Sequence, residues 1–110
     1  MFGFFKKRSV NEEKVASFAK WFVTNNEAII SSLKNGPLEF LNKIEYQLSL
    51  VYQDGFHGNI EFQYGFNENL GKYELYLFHL NNKFLMTATA KIKKELEPLI
   101  SDRWILHVEK

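Results

Sequence analysis

The sequence predicts an α+β domain: a small, mainly antiparallel sheet, built from a β-hairpin and a C-terminal strand, with helices packed on one face. Three observations predict it. Apolar residues recur at helical spacing from residue 9 to 53, alternate one by one from 59 to 80, and then show helical spacing again before a last alternating run. Asn-Gly-Pro at 35–37, Asp-Gly at 54–55 and Asn-Asn at 81–82 punctuate these stretches where turns belong. A chain of 110 residues holds one domain and no separable second one. The expected order is α-α-α-β-β-α-β, with residues 1–8 as a separate apolar and basic segment and 9–110 as the domain.

Ser9 followed by Glu12 has the spacing of a capping box, and Val15, Phe18 and Phe22 trace the buried stripe of the helix that follows. Asn25-Asn26 ends or bends this helix, leaving EAIISSLK as a second short helix or a continuation. Pro37 suits the first turn of the next helix, whose stripe is Leu41, Ile44, Leu48 and Val51. Gly55 is expected to close it in the left-handed conformation.

NIEFQYGF sets Ile60, Phe62, Tyr64 and Phe66 on one side of a strand, with Asn59, Glu61 and Gln63 on the other. NENLG is a hairpin loop, and KYELYLFHL returns with apolar residues on both faces: Leu75 and Leu77 one way, Tyr76 and Phe78 the other. Residues 83–97 fit a helix through Leu85, Ala88, Ile92 and Leu96, with Pro98 starting a further turn. The competing reading makes KFLMTAT a strand after a tight Asn81-Asn82 turn. RWILHVEK closes the chain as a strand burying Trp104, Leu106 and Val108. Trp21, Phe22, Leu41, Ile44, Leu48, Phe62, Ile92 and Trp104 are the expected core.

From FAKWFVTNNEAI through YELYLFHLNNKF to LEPLISDRWIL, the layout resembles a group of small bacterial α+β proteins. The carrying residues are Trp21, Phe22 and Asn25 in the first helix, Glu74 and Leu75 opening a strand, and Pro98 six residues before Trp104. The resemblance implies the helix over 83–97 and no activity.

Composition excludes several functions. Fourteen Lys and Arg against thirteen Asp and Glu give no basic footprint for nucleic acid. The aromatic strands invite comparison with base-stacking sheets, but Glu61 and Glu74 occupy places where phosphate-contacting cations belong. With no cysteine there is no disulfide, thiolate metal site or thiol nucleophile. No phosphate loop, dinucleotide turn or nucleophile elbow is present. No cofactor is expected. His79 and His107 fall on opposite sides of the sheet by strand parity, and His57 lies in a turn, so the histidines do not converge on a metal.

MFGFFKKR admits three readings. It lacks the order of a secretory signal, because its charges follow the apolar run, so the chain is expected in the cytoplasm. Phe2, Phe4 and Phe5 with Lys6, Lys7 and Arg8 could make a weak peripheral membrane contact, add a strand at the sheet edge, or form a terminal tail.

What remains is a face. If helices cover Leu75 and Leu77, then Tyr76, Phe78 and Ile105 form an apolar patch with Glu61, Glu74 and His107 among them. The leading expectation is a non-enzymatic domain that binds a protein partner, or itself as a homodimer, through that patch. The rival is a small-molecule or enzymatic site using Glu61, Glu74, Tyr76 and His107.

Overall fold

The computed structural model describes residues 9–36 and 38–110. Three helices and a mixed three-stranded sheet make up the α+β fold: α1 Glu12–Asn35, α2 Leu41–Tyr52, β1 Phe62–Asn67, β2 Lys72–Phe78, α3 Lys83–Ile100 and β3 Trp104–Glu109. In the sheet the strands run in the order β1-β2-β3. β1 and β2 pair antiparallel across the hairpin, whereas β3 runs parallel to β2. Length explains the parallel pairing. The 18 residues of α3 rise about 27 Å at 1.5 Å each, which returns the chain to the end of the sheet where β2 began.

α1 is longer than either helix anticipated for that stretch. Asn25 and Asn26 remain helical because their side-chain amides donate back to the carbonyls of Trp21 and Val23, at 2.8 and 2.7 Å. EAIISSLK therefore continues α1. Its N-cap is Asn11, not Ser9: the Asn11 carboxamide oxygen accepts from the backbone N–H groups of Glu13 and Lys14. α2 begins at Leu41, and Pro37 lies outside the described residues. Residues 83–100 are helical, with Asn82 capping through its side chain and Leu85, Ala88, Thr89, Ile92, Leu96 and Ile100 buried. Pro98 lies inside the last turn of α3 and starts no new one.

The core lies between the three helices and one face of the sheet. Leu75, Leu77, Trp104 and Leu106 meet Phe18, Phe22, Ile44, Leu48, Leu85, Ile92 and Leu96. Phe22 packs edge-on against Trp104 with ring centroids 5.0 Å apart. Three expected core residues differ. Trp21 and Phe62 are half-buried, and Leu41 is 37% exposed. Leu41 and Phe62 line one surface pocket beside β1, an outer strand, and Trp21 lines another with Asn42, Lys43 and Tyr46 of α2.

Two turns hold the sheet in place. Asn67 Oδ1 accepts from the N–H groups of Asn69 and Leu70, and Gly71 takes φ +65°, so the hairpin register is set by the loop. At the other end Leu80 and Asn81 both have φ of 58°, an unfavourable conformation for a branched side chain such as Leu80. The outer edge of β3 is blunted: Glu97 of α3 reaches over and accepts the Leu106 backbone N–H at 2.9 Å.

Candidate functional site

All three helices cover one face of the sheet, and strand alternation dictates what the other presents. Pairing places the residues in rows across β1, β2 and β3. Gly65, Glu74 and Ile105 make one row; Gln63, Tyr76 and His107 make the next. The row at the β2 C-terminal end is Glu61, Phe78 and Glu109, with the Phe78 N–H donating to the Glu61 carbonyl at 3.2 Å. At the opposite end Lys72 lies beside Asn67. Tyr76 stacks on Phe78 along the strand at 6.2 Å between ring centroids, and on the His107 ring across it at 4.3 Å and 14°.

Glu74 is the polar centre of this face. Its side chain is 13% exposed and that of His107 28%, and His107 Nε2 lies 2.8 Å from Glu74 Oε2. Asn67 donates to Oε1 at 3.2 Å, and the Tyr76 hydroxyl makes a long 3.4 Å contact to Oε2. A carboxylate only accepts, so His107 Nε2 is the donor in this contact. Burial raises the Tyr76 phenol above its ordinary range, with the Glu74 and Glu109 charges and the Glu74 hydrogen bond acting in the same direction.

Tyr76, Phe78, Ile105, Glu61, Glu74 and His107 all belong to the open face, but Glu61 and Glu74 are not cross-strand neighbours. Glu74 faces Gly65, and Glu61 lies four residues further along, about 13 Å away at the strand rise. Glu61 instead flanks Phe78 in a shallow cleft of about 500 Å³, lined also by Asn59, Gln63, Leu80 and Lys110. Asn67, Lys72 and Glu109 were missed as members of the face. The signal for Asn67 was the Asn-x-x-x-Gly loop, which fixes the register once its side chain is read as a turn acceptor.

A histidine oriented by a carboxylate is half of a nucleophile-activating arrangement. Among the described residues of the face no Ser, Thr or Cys stands beside His107 to complete it. No group of three His, Asp or Glu that could hold a metal ion occurs among the described residues. His79 lies past the end of β2, where its Nδ1 accepts from the Asn81 N–H. No described helix is long and apolar enough to cross a membrane. Phe2, Phe4, Phe5, Lys6, Lys7 and Arg8, the expected membrane contact, lie outside the described residues. Compared with known proteins, the chain matches no family model, no curated protein and no solved structure.

Proposed function

We propose that this chain is a non-catalytic protein-binding domain, of the accessory kind that escorts or neutralises one partner, and that the open face of its sheet is the binding surface. The sequence expectation of a cytoplasmic protein is part of this proposal. One observation carries it: the three helices leave Tyr76, Phe78 and Ile105 on a face that no described element covers. The one well-shielded charge on that face, Glu74, is already matched by Asn67, Tyr76 and His107. The centre of this face can lose its water without stranding that charge.

The test is Tyr76→Lys with Phe78→Lys. Neither side chain packs against a helix, so the double variant is expected to fold, with a Tm within a few degrees of wild type. If it unfolds, the face is core already covered within the chain, and the proposal fails. A second reading makes the 2.8 Å Glu74–His107 pair an acid–base site. It predicts that Glu74→Gln abolishes binding or turnover of a small ligand while the fold survives; the protein-binding reading predicts no turnover to lose.

A further inference from the structure

The open face is complementary to itself. We infer that its occupant is a second copy of the chain, docked face to face with antiparallel strands about a two-fold axis that crosses β2 at Leu75. This inference rests on the open face being the binding surface, and names what binds there.

The order of side chains along the strands selects the axis. A two-fold parallel to the strands would lay Lys72 on the partner copy's Lys72 position and Glu74 on its Glu74 position, like upon like. Crossing the strands instead exchanges the ends of β2, so each Lys72 comes to lie over the Phe78 ring of the other copy. Glu61 and Glu109 flank that ring in the same row, so the ammonium comes to lie between two carboxylates with the ring beneath it. Lys72 now donates to the Ser101 carbonyl on the surface at 2.6 Å, a contact given up to make the new one. Along β3 the same operation sets Ile105 against His107. Along β1 it sets Gln63 against Gly65, above which no atom lies within 4 Å of where a Cβ would be, leaving room for the amide. Tyr76 faces Glu74, whose carboxylate enters the interface already held by its own chain.

Facing sheets pack about 10 Å apart, which suits these side chains. Three strands of six or seven residues bury on the order of 1,000 Å² in total when paired, at the low end for a specific interface. The dimer is therefore weak and concentration-dependent, and screening by salt loosens it.

The experiment is molar mass by light scattering on the full chain across a dilution series, with two charge variants, Lys72→Glu and Glu61→Lys/Glu109→Lys. All three positions are on the surface, and thermal melts confirm that each variant is folded. Wild type is expected to rise from 13.0 kDa toward twice that mass with concentration, and each variant alone to stay at 13.0 kDa. An equimolar mixture of the two variants is expected to associate. In the mixed pair the new carboxylate at 72 lies over the new ammonium groups at 61 and 109, and the native Lys72 of the other chain keeps its native carboxylates. A mixture that stays monomeric while wild type associates overturns this two-fold arrangement. A wild type that is monomeric throughout, with folded Tyr76→Lys/Phe78→Lys, overturns self-pairing while leaving the open face to a different protein. Unfolding of that double variant removes both readings.

Discussion

Two buried polar atoms have no hydrogen-bond partner among the described residues, the Tyr52 hydroxyl and Trp104 Nε1. Other buried hydroxyls here are satisfied locally: Thr89 donates to the Leu85 carbonyl and Ser32 to that of Ile29, both at 2.7 Å. A hydroxyl taken from water without a partner costs about 1–3 kcal/mol. Tyr52→Phe keeps the ring and deletes the orphaned group, so it is expected to stabilise the fold by about 1 kcal/mol. Denaturant unfolding measures this directly, and a loss of stability would show that the hydroxyl has a partner. No sequence signal marks this residue. Tyr52 follows Val51 at the end of an apolar stripe, and whether its oxygen finds an acceptor depends on contacts from distant elements. Trp104 differs: alternation in RWILHVEK was enough to place it in the core.

Elements were legible where one period ran long enough to exclude the other. The stripe from Leu85 to Leu96 favours a helix but left KFLMTAT open to a strand, whereas Ile60 to Phe66 excludes a helix. Glycine at element ends was legible only as punctuation. Gly55 follows α2, but it does not adopt the left-handed conformation; a Cβ there would lie 2.1 Å from the Phe84 ring of α3. Its role is close approach between two elements 29 residues apart, which a local reading misses. Gly55→Ala must push that half-buried ring aside and is expected to cost about 1–3 kcal/mol. Gly36→Ala is the control, because nothing lies within 4 Å there and its φ of −170° is ordinary extended backbone. Equal effects at the two positions in a thermal melt would refute the close-approach account. The same distinction explains the site. Alternation alone showed which side chains share the open face, but not which meet across strands. Glu61 and Glu74 were separated by a register that the Asn67 loop sets.

At the scale of the whole molecule, the tyrosines link stability to pH. Burial raises the phenols of Tyr52, Tyr64 and Tyr76 above the ordinary tyrosine value, with neighbouring carboxylates adding to the effect at Tyr76. In the unfolded chain each releases its proton near pH ~10. The folded chain holds these protons to higher pH, so above about pH 10 the unfolded state binds fewer protons and gains stability relative to the native one. Their contribution is complete below pH ~10 and is lost as pH rises through the raised folded values. The Tm is therefore expected to hold between about pH 8 and 9 and to fall steeply toward pH 11. Tyr52 has the most shielded phenol of the three, so Tyr52→Phe should flatten that fall as well as raise the plateau. A wild-type Tm that does not change up to pH 11 would mean that all three phenols reach water in the folded state. That would contradict the burial of Tyr52 in the core and, with it, the packing that leaves the opposite face of the sheet open.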